Sequence, residues 1–591
     1  MSAALAASVL GLSAQDAGFR FASYLPEEVV VSLHLRSISD LQAKLEAHPL
    51  SELWASEQSK AFFSNFFEGE AFQEGLEEVK AELGIDPFEL MKDFKGEVVL
   101  AFGKLPEHLE SGEIPTLYLL ADFAGDAETL KSLMQRGLDE MDSTESMSLN
   151  FDDDFTETEE GDLLEYEREI IEESYEGETL YFVEERSEGD SERVFGWALA
   201  QGVLVLTPGE HPLREVIEGI VDGEVADPLA EAELFRAALS ELPEQDTALF
   251  INFERLLPAV RSLAEQAMAE NPQAAQFFNF EAFWEGLGID ALRMAYYGTK
   301  VNAETLEGSA VAFYDRLGGL LGAAIPAEPA LPPTQWVPES ALSVSVSAMD
   351  LGAFLRELEQ FVMRVSPMAG SLYQGQLARL KQEEGLDIRA AVLENLSPGL
   401  VSTAAAAPDT DFTDPESAAE TSQIIAFRLR DPAAFADFLK RLRDMASQGM
   451  ELFEENPYLD YTIISMKNMP DQAFSYALAE DHFLLNIGQP QALRDALSGF
   501  AEPGTPYFER RTPEQAFEGY PAGLMEMTYA DLPKLAAQFF AGMAIGFAEG
   551  SGDDMPERLP DFSKLGYGYS AGSWTTRDGA RSRFLIAPRA D

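Results

Sequence analysis

The sequence contains no cysteine, and this absence excludes several kinds of chemistry at once. Without thiols the chain can form no disulfide bonds, no thiolate metal site, no cysteine nucleophile and no lipid-modified cysteine anchor. It also has no G-x-x-x-x-G-K-[ST] phosphate loop and no G-x-G-x-x-G turn between a strand and a helix. We therefore predict no cofactor.

Basic residues are scarce as well. The 41 Lys and Arg residues stand against 104 Asp and Glu residues, so the formal net charge is −63. Phosphate backbones and anionic lipid surfaces repel such a chain, so we expect no nucleic-acid partner and no electrostatic binding to membranes. With 46% hydrophobic residues, the composition is nevertheless that of a globular protein.

The acid excess, combined with few lysines, is typical of a protein surface adapted to salt, because screening relieves the repulsion between like charges. We expect the melting temperature to rise as NaCl is added up to the molar range. Thermal unfolding followed by circular dichroism measures this directly. A melting temperature that stays flat or falls with salt would contradict the expectation.

The amino terminus is typical of a secretory signal. An apolar run from Ala3 to Leu12 is followed by small residues up to Gln15, so residues 1–15 are predicted to be a signal peptide. No Lys or Arg precedes the run, and a frayed helix is the alternative. No later stretch reaches the roughly 18 continuous apolar residues that span a bilayer. We therefore predict an extracytoplasmic protein, periplasmic or secreted, without a transmembrane segment.

The two halves of the chain align with each other. Leu25–Leu33 matches Val337–Ser345, and Phe195–Ala200 matches Phe474–Ala479. The second pair continues in each half through a two-residue turn into another strand and then a helix. These hairpins predict an α+β fold made of two tandem copies of one lobe, with largely antiparallel sheets and packed helices.

Changes in the alignment offset and in composition give the predicted boundaries. Lobe 1 covers 24–315 and contains an acidic insertion at 139–178, which the second half does without. A proline-rich linker at 316–337 leads to lobe 2 at 338–588. We expect the lobes to pack about a pseudo-twofold axis, and two independent domains on the linker are the alternative.

The acidic insertion is a candidate for binding calcium, because hard divalent cations take clustered carboxylate oxygens. The spacing does not fit an EF-hand, which needs glycine at the sixth position, where Glu157 stands. A solvated surface loop is the favoured alternative. The weak metal-ligand candidates are Asp152, Asp154, Glu157, Glu159 and Asp162.

No catalytic residue is predicted. Gly568–Gly572 fits the G-x-S-x-G pattern of α/β-hydrolases around Ser570, but the histidine of that triad follows the serine, and no histidine follows His482. None of the five histidines is spaced three or four residues from another, so a helical metal pair is absent.

Clusters of aromatic residues suggest a binding site. Core packing is the alternative, because aromatic side chains dominate protein cores. In the binding hypothesis, helices of the two lobes face each other and line an apolar groove for a lipid, a peptide or a partner protein. The groove candidates are Phe62, Phe63, Phe66, Phe67, Phe277, Phe278, Phe283, Trp284, Phe539 and Phe540.

The first hundred residues resemble a known family. Leu25-Pro26-Glu27 opens a hydrophobic strand, and His48–Trp54 leads into a phenylalanine-rich segment. In this the chain is similar to a broad family of large secreted bacterial proteins described only as a domain of unknown function. The resemblance implies an exported location and a repeat-built α+β fold, and it transfers no active residue.

We therefore expect an exported, non-enzymatic scaffold or binding protein of the bacterial envelope, whose partner is an unidentified protein or an apolar ligand. One alternative is a hydrolase of envelope polymers that uses a pair of carboxylates, one with a strongly raised pKa. Another is a structural subunit of an envelope assembly, which would expose one large apolar patch.

Overall fold

A computed structural model describes most of the chain and divides it into two compact units. Unit 1 comprises the described parts of residues 1–47, 63–263 and 294–301, and unit 2 those of 48–62, 264–293 and 302–591. The predicted signal peptide, 1–15, lies outside the described residues. The described ranges are 18–56, 59–60, 92–105, 115–143, 167–187, 190–223, 225–270, 277–338, 340–407, 409–447, 452–467, 474–511, 514–551 and 558–589.

Unit 1 combines nine strands with the helices that its described residues form. The strands are β1 (Val31–Leu35), β2 (Phe94–Phe102), β3 (Leu117–Phe123), β4 (Glu167–Tyr175), β5 (Glu178–Ser187), β6 (Asp190–Ala200), β7 (Val203–Pro208), β8 (Thr247–Asn252) and β9 (Leu292–Val301). The helices are α1 (Ile38–Ala47), α3 (Ala127–Ser143), α4 (His211–Asp222) and α5 (Glu233–Glu241). Helix α6 (Phe253–Glu270) begins in unit 1 and extends past its boundary at residue 263, and α2 (Glu52–Ala55) belongs to unit 2.

The described strands of unit 1 pair in the order β4-β5-β6-β7-β3-β2-β1-β8-β9, and every pairing is antiparallel. The predicted hairpin is present. Strands β6 and β7 join through Gln201-Gly202, and both residues have positive φ angles, as a tight hairpin turn requires.

Unit 2 follows the same plan, with more helices among its described residues. Its strands are β10 (Leu306–Tyr314), β11 (Ala341–Ser347), β12 (Leu396–Ala406), β13 (Thr421–Leu429), β14 (Phe453–Tyr458), β15 (Tyr461–Met466), β16 (Phe474–Ala479), β17 (His482–Ile487), β18 (Glu526–Asp531), β19 (Tyr567–Thr576) and β20 (Gly579–Pro588). Its later helices are α7 (Phe280–Leu287), α8 (Gly319–Ala324), α9 (Leu351–Val365), α10 (Pro367–Glu383), α11 (Pro415–Ala419), α12 (Pro432–Ser447), α13 (Pro490–Ala501), α14 (Tyr507–Arg511) and α15 (Leu532–Ser551).

Within the described part of unit 2, the strands pair in the order β14-β15-β16-β17-β13-β12-β11-β18-β19-β20-β10, again all antiparallel. The fold is therefore of mixed helix and strand with large antiparallel sheets, which confirms the coarse fold prediction. Adding ten to each strand number of unit 1 reproduces the first nine positions of this order.

Each sheet buries one face beneath aromatic side chains. In unit 1, Phe235 of α5 lies 5.2 Å from Phe250 and 6.5 Å from Tyr296, measured between ring centroids. In unit 2, Phe500 of α13 stacks on Trp336 at 5.1 Å. These buried faces are the cores of the two units, because aromatic packing supplies much of the apolar area removed from water.

The acidic insertion, for which a surface loop was the favoured alternative, contains a strand at its carboxyl-terminal end. Residues 144–166 of the segment lie outside the described residues, but Glu167–Tyr175 forms strand β4 at the edge of the sheet. Its charges are paired. Arg168 contacts Glu185 at 2.7 Å, and Glu173 accepts hydrogen bonds from Arg193 and Arg214. A charged edge strand is a common way to block further strand pairing, so acidity here does not mark a loop.

The predicted linker at 316–337 is also not a linker, because it belongs to the packed structure of unit 2. Helix α8 lies within it, and Trp336 at its end is buried. The backbones at Gly288 and Gly318 approach so closely that a Cβ on Gly288 would lie 2.0 Å from the Gly318 oxygen. The backbone at Gly318 therefore serves the close packing of two segments rather than flexibility.

Candidate functional site

The strongest candidate site is the second face of the unit 1 sheet. Residues directly opposite each other in antiparallel strands point to the same side of a sheet. One row of such residues crosses five strands and is entirely apolar: Leu119, Leu100, Leu33, Leu249 and Tyr297. The neighbouring row is apolar too: Leu117, Phe102, Val31, Ile251 and Ala295.

We call these ten residues the open face, because three of them are exposed and the other seven are half-buried. Leu33 is 50% exposed, Phe102 is 40% exposed and Tyr297 is 37% exposed. In contrast, the residues next to them in sequence point into the core, where His34 and Tyr296 are fully buried. A contiguous apolar surface of this kind typically marks a binding site.

The open face ends where helix α3 begins to cover the sheet. On strands β5 and β6, Tyr181 and Trp197 stack at 5.2 Å, and Met134 of α3 packs against them. Leu130 of the same helix packs against Phe123. Because α3 supplies an apolar cover at that end, the exposure of β1, β2, β8 and β9 is a local feature of this face.

The corresponding face of the unit 2 sheet has a different chemistry. The row at the same positions in the strand order has small or hydroxyl side chains at four of its five positions: Ile425, Ser402, Ser345, Thr528 and Ala571. The Thr528 hydroxyl lies 2.9 Å from the Ser345 hydroxyl. Strand β11 presents Ser343, Ser345 and Ser347 where β1 presents Val31, Leu33 and Leu35.

The aromatic groove candidates separate into two groups that the structure describes and one that it does not. Phe62, Phe63, Phe66 and Phe67 lie outside the described residues. At α7, Phe283 lies 5.2 Å from Phe278 and 5.7 Å from Phe361 of α9. Trp284 is buried and donates a hydrogen bond to Asp290, whereas Phe277 is exposed.

The second described group lies on α15. Phe540 is buried and stacks on Phe562 at 5.1 Å, while Phe539 is largely exposed. Helices α7 and α15 both belong to unit 2, and no ring contact between described residues joins the two groups. Packing within unit 2 is therefore the role of Phe283, Trp284 and Phe540. The clustering of aromatic residues in the sequence did not identify the open face of unit 1.

The predicted metal site cannot be placed among the described residues. The five candidates Asp152, Asp154, Glu157, Glu159 and Asp162 lie outside the described residues. Within the described ranges, no group of three or more His, Asp and Glu side chains could hold a metal ion.

Ser570 takes part in the packing of unit 2. It is buried, and its hydroxyl donates a hydrogen bond to the Ala516 carbonyl oxygen at 2.8 Å. It lies in the middle of strand β19 rather than on a turn that opens a helix. The G-x-S-x-G pattern at this point is thus part of a glycine-rich strand.

Glu97 is the acid that most resembles a catalytic carboxyl, because burial raises its pKa to about 7. Its two carboxylate oxygens accept hydrogen bonds from the backbone amides of Arg20 and Phe21, at 2.8 Å and 2.9 Å. The backbone amide of Glu97 in turn donates to Asp122 at 2.8 Å. Both oxygens of the carboxyl group therefore fasten the amino-terminal segment to strand β2.

A pocket of about 410 Å³ lies in unit 2 between α2 and the segment around Phe562. Its ionisable lining residues are Glu52, Asp561 and Lys564. Hydrogen bonds from Ser563 hold the pKa of Asp561 below its usual value, so this carboxyl is not a general acid at neutral pH. Asp561 therefore does not have the raised pKa that the acid of a hydrolase pair needs.

In the part of the chain that the structure describes, no helix combines the length and the apolar character needed to cross a bilayer.

Comparisons with known proteins give no family for this chain. No family model matches it, and no curated protein matches it. Among solved structures, crystal form I of TP0453 matches at 11% identity and a TM-score of 0.21, over 44% of this chain and 81% of that one. Crystal form IV of TP0453 matches at 10% identity and a TM-score of 0.20, over 44% and 92%. Similarity at these scores carries no argument about fold or function.

Proposed function

We propose that the protein is an exported, non-enzymatic binding protein of the bacterial envelope, periplasmic or secreted, that holds an apolar ligand such as a fatty acyl chain on the open face of unit 1. One observation carries this proposal. Ten apolar side chains from five strands share a face on which none is buried. An acyl chain laid across that face would remove exposed apolar area from water.

We propose further that the two units arose by internal duplication. The identical order of nine strands in each unit supports this, as does the placement of Leu33 and Ser345 at the same position in that order. Under this proposal, the same scaffold has an apolar face in one copy and a hydroxyl-rich face in the other. The contrast favours a ligand specific to unit 1 over a general property of the fold.

The carboxylate-dependent hydrolase has less support. Glu97 has the raised pKa that such an enzyme needs, but both of its oxygens are occupied by backbone amides. We therefore retain binding as the function that the structure favours.

The test replaces the central row of the open face with the residues at the same positions in unit 2. In the variant L33S/L100S/L249T, we expect the affinity for palmitate to fall at least about tenfold, since burial of one leucine contributes about 1.5–3 kcal/mol. Displacement of the dye ANS by palmitate measures that affinity, and circular dichroism verifies that the variant is folded.

A matched control is F539S, which removes an exposed aromatic side chain from α15. It should bind palmitate as the wild type does. Failure of the wild-type protein to bind palmitate, or an equal loss of affinity in both variants, would contradict a site on the open face.

A further inference from the structure

Helix α10 of unit 2 is a 17-residue helix with almost no cover. Of its residues only Gly370 is buried, and Leu377 and Leu380 are half-buried. Met368 is 54% exposed and Leu372 is 64% exposed, and Tyr373 beside them is also exposed. At 1.5 Å per residue, this surface extends about 25 Å along the helix axis.

The charge pattern around α10 differs from that of the rest of the chain. From Gln360 to Gln382 there is no Asp or Glu, in a protein whose net charge is −63. The same stretch contains Arg364, Arg379 and Lys381. Two copies of this chain repel each other across most of their surface, and the repulsion is weakest where carboxylates are missing.

Gly375, in the middle of α10, is not explained by packing inside the unit. A Cβ at Gly370 would meet Met363 at 2.9 Å, which accounts for that glycine, but a Cβ at Gly375 would have no described atom within 4 Å. Glycine in a helix interior costs about 1 kcal/mol relative to alanine. Its position on the outer side of α10 leaves room for another backbone to approach closely there.

We propose that α10 is the contact surface for a second copy of this chain. The two helices pack antiparallel about a twofold axis that passes beside Gly375. Helical spacing puts Met368, Leu372, Gly375 and Arg379 on the outer side of the helix, and all four are exposed.

The antiparallel arrangement is self-complementary. Counting outward from Gly375, Leu372 of one copy faces Ala378 of the other, and Met368 faces Gln382. No carboxylate meets a carboxylate between positions 368 and 382. Glu383 of each copy approaches the first turn of the partner helix, where the positive end of the helix dipole favours negative charge.

The absence of native cysteine makes a direct positional test possible. A residue on a twofold axis meets its own copy, and a disulfide needs Cα atoms about 4.4–6.8 Å apart. With diamide as the oxidant, G375C should therefore form a covalent dimer rapidly at micromolar protein. The control L459C, on the exposed turn between β14 and β15, should cross-link only slowly through random collision. Equal rates for the two variants would overturn the proposal.

Sedimentation equilibrium provides the second test. At about 1 M NaCl, where the Debye length is about 3 Å, we expect a reversible dimer. L372E should raise its dissociation constant at least about 100-fold, since each of the two copies loses a central contact. L459E should leave the constant unchanged, and melting curves establish that both variants are folded. A wild-type protein that stays monomeric at high salt would overturn the proposal. A monomer that binds phosphatidylcholine vesicles, and loses this binding in L372E, would also overturn it.

Discussion

Replacing His34 with valine should remove a large part of the loss of stability that the protein suffers in acid. His34 is fully buried in unit 1, with Phe19 at 4.7 Å and Phe235 at 5.6 Å between ring centroids, and burial lowers its pKa from 6.5 to about 3. As the pH falls through this range, the unfolded chain binds a proton at His34 that the folded chain does not bind. The free energy of unfolding therefore falls with pH.

The expected size of this effect is large. One pKa unit corresponds to about 1.36 kcal/mol, so the difference between pH 7 and pH 3 amounts to as much as about 5 kcal/mol. Urea unfolding at a series of pH values measures it. Valine is the natural choice, because Val346 has the same place in unit 2 that His34 has in unit 1, between the strands that carry Val401 and Met527.

Ser32 gives the matched second variant. Its hydroxyl lies 2.9 Å from Nε2 of His34, and Val344 stands at the corresponding place in unit 2. S32V/H34V therefore avoids leaving a buried hydroxyl without its partner. H211N, which replaces an exposed histidine, should keep the acid dependence of the wild type. An unchanged pH dependence in S32V/H34V would show that His34 is not the group responsible.

Replacing Glu97 with glutamine should change the pH dependence in the opposite direction. Burial raises the pKa of Glu97 from 4.5 to about 7, and the amides of Arg20 and Phe21 oppose that increase. Between these two values the unfolded chain gives up the proton of Glu97 while the folded chain retains it. The stabilising contribution is thus complete below pH 4.5 and is lost as the pH rises to about 7.

The expected loss over that interval is about 3 kcal/mol at most, from 1.36 kcal/mol per unit. E97Q should lack this decline, although it is less stable at every pH because its amide group cannot accept from both backbone donors. The measured quantity is therefore the slope of unfolding free energy against pH, with E46Q at an exposed position as the control. A wild-type slope more positive than that of E97Q would mean that the amide donors outweigh burial.

The sequence was sufficient to predict local structure at the tight turns, where the conformation depends on a few neighbouring residues. The hairpins β6–β7 and β16–β17 are present with the predicted two-residue turns, and positive φ angles occur at Gln201, Gly202 and Glu480. Short-range rules identify such turns because they depend on the backbone preferences of two or three residues.

Sequence could not identify the open face, because it depends on which side of a strand meets the core. In β1 a hydrophobic pattern would place Leu33 inside and His34 outside, and the structure has them the other way round. His34 is accommodated by Ser32 and two aromatic rings, which come from distant segments. The contrast between Leu33 and Ser345 becomes informative only after the register of both sheets is known.

Composition also misled the boundaries. Acidic residues indicated a loop at 139–178, but Glu173 is held by Arg193 and Arg214 within the sheet. Prolines indicated a linker at 316–337, but Trp336 and Val337 at the end of that segment are buried. In both cases a long-range partner decides the structure, and a local rule cannot identify that partner.

The most direct test of ligand binding at the open face is photo-labelling with a palmitate that carries a diazirine on its acyl chain, followed by peptide mapping. We expect labels on the peptides that contain β1, β2, β8 and β9. Excess palmitate should suppress this labelling, and the variant L33S/L100S/L249T should not be labelled on these peptides. If excess palmitate instead suppressed labels on the aromatic residues of α7 or α15, and none appeared on the four strands, binding at the open face would be contradicted.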